Sequence, residues 1–165
     1  MGAFMKPLLR LCDVIALIGL AVLFGVVAAN VIGRALFDAS GQAVNVMIPG
    51  AIELSRYALM VLVFASLPRA AEAGMVRVDL LVERLPPVLA GVFDRLWGLA
   101  IAAFGAAAGW LLIDDALVQA GRGDATQDLE VPLWLFTGFA GLMAVALALT
   151  GLWLALRRGH RGSDR

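Results

Sequence analysis

Cysteine and histidine each occur once in this sequence, as Cys12 and His160, and charge is missing from long stretches of it. A single cysteine excludes a disulfide framework within the chain, and one histidine beside one cysteine leaves no ligand set for a zinc or haem site built by this chain alone. Charged residues make up 16% of the 165 and hydrophobic residues 62%. A soluble domain is about half apolar and about a quarter charged, so this composition belongs in a membrane. Basic and acidic residues balance at 13 each, and no net field points to nucleic acid or to an acidic partner. Their placement along the chain is what informs.

Between Asp13 and Arg34 lie 20 uncharged residues, between Arg95 and Asp114 18, and between Glu130 and Arg157 26. A bilayer core needs roughly 20 helical residues, so each interval is able to span it. The 12 residues from Tyr57 to Pro68 fall short alone. A helix that begins near Pro49, with Glu53 and Arg56 in its first two turns, gains the missing length. The expected fold class is therefore all-α integral membrane, one four-helix domain over 1–165 with transmembrane helices at about 13–35, 49–70, 92–113 and 132–156. Ten basic residues (Lys6, Arg10, Arg69, Arg77, Arg84, Arg95, Arg157, Arg158, Arg161 and Arg165) fall on one side of such a topology. Only Arg34, Arg56 and Arg122 fall on the other, which puts both termini in the cytoplasm.

Lys6 and Arg10 followed by an apolar run ending in Val27-Ala28-Ala29 has the outline of a cleaved signal peptide. The run exceeds the about 7–15 residues of such a segment, so it reads as a retained anchor. Gly25, Ala29 and Gly33 form a small-residue stripe that admits a close helix neighbour, and Asn30 and Arg34 share one face. A short polar loop over 37–48 leads to Pro49, which suits a first helical turn. Glu53 sits near the positive end of the helix dipole, and Glu53 and Arg56, three apart, are placed to pair with each other. Pro68 is expected to kink or end the second helix. Beyond it, Ala70 to Leu85 carries Val78, Leu81, Val82 and Leu85 at helical spacing with Arg77, Asp79, Glu83 and Arg84 interleaved, an amphipathic cytoplasmic segment between helices two and three.

Gly105 to Gly109 in the third helix is a GxxxG pattern, which marks a helix contact without naming the partner. An acidic loop follows, with Asp114, Asp115, Asp124, Asp128 and Glu130 and with turn formers Gly121, Gly123 and Asp124. Val131-Pro132-Leu133-Trp134 opens the fourth helix, and Ala140, Ala144 and Ala148 give that helix its own small-residue stripe. The helix centres hold almost only Ala, Leu, Val, Gly, Ile, Phe and Met, where a self-contained transporter needs polar or ionisable groups. Ser55 and Ser66 have no histidine to act as a base. No catalytic, cofactor-binding or metal site is expected, and an interaction protein is.

The order of Asn30-Val31-Ile32-Gly33-Arg34, Pro49-Gly50-Ala51-Ile52-Glu53-Leu54-Ser55-Arg56, Gly74-Met75-Val76-Arg77-Val78-Asp79-Leu80-Leu81 and Val131-Pro132-Leu133-Trp134 resembles the small membrane subunit (DctQ-like) of tripartite ATP-independent periplasmic (TRAP) transporters. The resemblance covers nearly the whole chain. Met75 stands where the family often has a histidine, and Ala51 and Ile52 where an aromatic residue is common. What the resemblance implies is a non-enzymatic scaffold in the bacterial inner membrane. Its partners would be a large TRAP permease subunit, a periplasmic solute-binding protein and the lipid bilayer, with no nucleic acid and no cofactor. The assembly would take up small organic solutes such as carboxylates, coupled to sodium. Arg34, Glu53 and Arg56 are expected to organise the outer half of the bundle, and Arg77 and Asp79 to anchor the inner face or the large subunit. Two rival readings remain, the small subunit of a tripartite tricarboxylate transporter, which shares this architecture, and, from another class, the membrane anchor of a redox enzyme. The second calls for intramembrane histidine, which the sequence lacks.

Overall fold

The structure, a computed structural model, describes residues 2–41, 43, 49–73 and 87–157. Four α-helices account for nearly all of these: α1 (Gly2–Ala39), α2 (Ala51–Ala73), α3 (Pro87–Arg122) and α4 (Leu133–Arg157). All four are long and apolar enough to cross a membrane, and among the described residues the only extended pairing is an isolated bridge between Ala125 and Pro132. The chain is thus an all-α membrane protein, as its charge-free intervals predict. In hydrocarbon every backbone N–H and C=O must find a partner within the segment, and a helix achieves this for runs of Ala, Leu and Val.

The helices pack in the order α1, α2, α4, α3: α4 lies against both α3 and α2, and α1 packs on α2. Fully 56% of the apolar window of α4 is buried, against 11–22% in the other three, so α4 is the interior helix of the bundle. At the end where the chain starts and α4 finishes, here called the terminal end, Met5 and Leu9 of α1 reach Trp153 and Leu154 of α4 and close the core. Thr150 is fully buried there, and its hydroxyl donates to the carbonyl of Ala146 at 2.9 Å, so no polar atom is stranded. The opposite end, where α1 passes to α2 and α3 to α4, is the turn end.

The α3–α4 contact is made backbone to backbone. Its register holds to within one residue: Gly98 faces Ala155, Ala102 faces Gly151, Gly105 faces Ala148, Gly109 faces Val145 and Ile113 faces Gly141. A Cβ at Gly105 would stand 2.6 Å from the backbone nitrogen of Ala148, and one at Gly151 2.5 Å from that of Ala102. No side chain fits at either position without separating the helices. The GxxxG pattern therefore serves α4, and the alanine stripe of α4 is its counterpart, with Ala140 and Ala144 buried. In the first stripe Gly33 is buried while Gly25 faces open space.

Two local expectations change. Pro68, expected to kink or end α2, does not end it: Pro68 is buried inside the helix, which continues to Ala73. One lost backbone hydrogen bond is tolerated where neighbouring helices hold the chain. Asp114 and Asp115 lie within α3 and not in a loop, because Asp114–Arg122 is rich in Ala, Leu and Gln and continues the helix past the end of the apolar run. The amphipathic segment predicted for Ala70–Leu85 lies outside the described residues from position 74 onward.

Candidate functional site

The polar side chains that join helices to one another gather at the two ends of the bundle. At the turn end the organising residue is Glu53. Gly50 caps α2, its carbonyl accepting the N–H of Leu54 at 2.8 Å, and it holds a left-handed φ of 70°. A Cβ at Gly50 would also press on the Leu129 side chain at 3.0 Å, which adds to the conformational preference for glycine. This cap places Glu53 in the first turn of α2, facing the α3–α4 loop.

That loop is tied at its base. The N–H of Thr126 donates to the carbonyl of Val131 at 2.9 Å, and the N–H of Val131 donates back to the Thr126 hydroxyl at 3.0 Å. The N–H of Leu133 reaches the carbonyl of Asp124 at 3.0 Å, and Glu130 takes a positive φ of 52° to close the turn. Three successive N–H groups at the tip then point outward together. Gln127 donates to Oε1 of Glu53, and Asp128 and Leu129 donate to Oε2, each at 3.0 Å. Such a run of amides forms a concave anion site, which one carboxylate fills here. Glu53 thus pins the α3–α4 loop to the start of α2, two segments more than 70 residues apart.

Arg56 is exposed and has no ionic partner among the described residues, so the pair predicted between Glu53 and Arg56 does not form. The carboxylate is turned to the loop, where three charge-assisted bonds are available. One turn further, Tyr57 stacks on Phe136 with ring centroids 4.0 Å apart, joining α2 to α4. The Thr137 hydroxyl donates to Oε1 of Gln119 at 2.9 Å, joining α4 to α3. Arg34 is exposed on α1 and lines, with Asn30, Phe37, Asp38, Ile52 and Asp128, a cleft of about 380 Å³ between α1, the start of α2 and the loop. Glu53 does not line this cleft but holds the backbone of Asp128, which does, while Arg77 and Asp79 lie outside the described residues.

The terminal end carries a junction that sequence reasoning missed. Arg69 of α2 bridges Asp13 of α1 at 2.8 Å and Glu72 of its own helix at 2.5 Å. The signal was present: Arg69 and Glu72 are three apart, and an antiparallel α1–α2 pair that packs Gly19 on Leu62 brings Asp13 level with Arg69. Between the two ends the outward faces are apolar, with Phe24 of α1 and Trp110 of α3 each 75% exposed. This arrangement holds helices in fixed register and leaves broad apolar surface for lipid or for other helices.

Comparison with curated proteins and with solved structures gave no match. A family model, described as tripartite ATP-independent periplasmic transporters, DctQ component, matches residues 8–161 and so takes in all four helices. The chain belongs to the DctQ component family of TRAP transporters and is a multi-pass membrane subunit of that transport system.

Proposed function

We propose that the chain is a rigid, non-catalytic scaffold that braces the large permease subunit of its transporter, in sodium-coupled, binding-protein-dependent uptake of small organic solutes such as carboxylates. Residues 1–165 act in this reading as a single four-helix domain of the bacterial inner membrane. The terminal end lies in the cytoplasm with both chain ends, as the arginine distribution favours. The observation that carries the reading is the α3–α4 seam, where glycines bring two spanning helices into backbone contact between Gly98 and Ile113 of α3. A seam of this kind has no room for sliding or for a side chain to change rotamer. It suits a part that stays still while another moves.

The uncovered faces support the same reading. Along α1 and α3, Leu17, Phe24, Phe104 and Trp110 are each more than 60% exposed, which gives a second membrane protein wide apolar ground to pack on. The periplasmic solute-binding protein would approach from the turn end, where the loop latched by Glu53 presents Asp128 and Glu130. Arg34, Glu53 and Arg56 organise that half, and Arg77 and Asp79 anchor the cytoplasmic side. The test is to reverse the charges at Glu53, Arg56, Arg77 and Asp79 and follow both co-purification with the large subunit and solute uptake. Loss of either supports the assignment; full retention of both in the quadruple variant refutes it.

A further inference from the structure

The cleft at the turn end holds charges of both signs that do not neutralise each other. Arg34 and Asp38 are one helical turn apart on α1, a spacing at which opposite charges usually pair, and Asp128 faces them from the α3–α4 loop. No ion pair joins any of the three to another or to any other described residue. The neighbouring residues 42–48 contain no charged side chain. Arg34, Asp38 and Asp128 thus line a space of about 380 Å³ with Asn30 beside them, within the about 300–1,000 Å³ typical of ligand sites.

The lower wall of the cleft is apolar and continues down the helices. Ile52 lines it and is 82% exposed, and Leu59 and Val63 extend the same face of α2 toward the middle of the span. On α1, Val27 and Val31 are exposed below Arg34. The α1–α2 pair is tight at Gly19 against Leu62, while Gly25, on another side of α1, meets open space. The site therefore has a charged head of mixed sign and a hydrocarbon-facing tail, set at the end of membrane-spanning helices.

From this juxtaposition we infer that the cleft binds one phospholipid with a phosphate and a primary ammonium in its headgroup, a phosphatidylethanolamine, as a fixed component of the subunit. The Arg34 fork takes the phosphate, as a planar guanidinium does best. Asp38 and Asp128 accept hydrogen bonds from the ammonium, which sits two carbons from the phosphoryl oxygen. A quaternary ammonium has no N–H to donate, and a purely anionic headgroup meets two carboxylates, so both alternatives are disfavoured. The acyl chains lie along Val27 and Val31 on one side and Ile52, Leu59 and Val63 on the other.

The full chain, purified in mild detergent and mixed with equal amounts of phosphatidylethanolamine, phosphatidylcholine and phosphatidylglycerol, is read by native mass spectrometry for lipid retained per chain. The expected result is one phosphatidylethanolamine, held at least tenfold over either competitor and not displaced by millimolar soluble phosphoethanolamine. Arg34→Gln removes the retained lipid, Arg34→Lys keeps it at reduced level, and the double variant Asp38→Asn, Asp128→Asn turns the preference toward phosphatidylglycerol. The lysine and asparagine variants show that a loss reports recognition and not misfolding. Equal retention of all three lipids, indifference to these substitutions, or displacement by soluble phosphoethanolamine would overturn the inference. So would crosslinking from position 38 to a polypeptide in native membranes.

Discussion

Glu53 accepts three backbone N–H bonds from a loop more than 70 residues away, and each charge-assisted bond of this kind contributes about 1.5–3 kcal/mol before solvent screening. The site is partly exposed and water replaces some of what is lost, so Glu53→Ala is expected to cost about 1–3 kcal/mol overall. Hydrogen exchange at Gln127, Asp128 and Leu129 should speed up selectively, with amides in the middle of α4 unchanged; uniform acceleration would mean that Glu53 supports the whole bundle and not the loop. Arg69 makes the matching test at the other end. Its bridges to Asp13 and Glu72 are solvent-accessible, so Arg69→Gln is expected to lower thermal stability only slightly, by an amount that shrinks as salt rises. A salt-independent loss would contradict an ionic role. The sequence places Glu53 at a helix start and offers Arg56, three residues on, as its partner. The partner atoms are amides, which any residue supplies, so no pattern in Gln127-Asp128-Leu129 could announce them.

At the scale of elements, three helices were legible because hydrophobic length is a strong signal and hydrocarbon leaves the backbone little choice, and the second only by starting it near Pro49 with Glu53 and Arg56 in its first turns. Which helix meets which was not legible. Gly105 and Gly109 announce a contact equally well for any neighbour, and only the structure assigns them to α4. The extent of α3 was hidden for a different reason: Asp114 and Asp115 end an apolar run, yet charge does not end a helix. These distinctions give paired predictions. Gly105→Val and Gly151→Val each drive a side chain into backbone across the seam, and each should destabilise the chain by about 3 kcal/mol or more, beyond ordinary overpacking because backbone yields less than a side chain. Gly25→Val meets open space and should leave thermal unfolding of the isolated chain unchanged. A fall for Gly25→Val equal to that for Gly105→Val would place Gly25 in an internal contact and contradict the packing order described.

As a whole molecule the chain combines an interior helix, two latched ends and wide apolar flanks, which is the form of a part built to be packed against. Family membership places it in a TRAP transporter, and the rigid seam makes its proposed role a brace. That role is local to the flanks of α1 and α3. Polar substitution of Phe104 and Trp110 should weaken association with the large subunit while the isolated chain keeps its helical content by circular dichroism, because neither side chain is in the core. A loss of helicity would instead make them part of this chain's own fold. The most direct measurement of the central claim is recovery of the tagged chain from native membranes in mild detergent, with co-purifying polypeptides identified by mass. The account predicts a polytopic subunit several times larger in fixed proportion to this chain. Recovery of this chain alone, under conditions shown to preserve known membrane complexes, would contradict it.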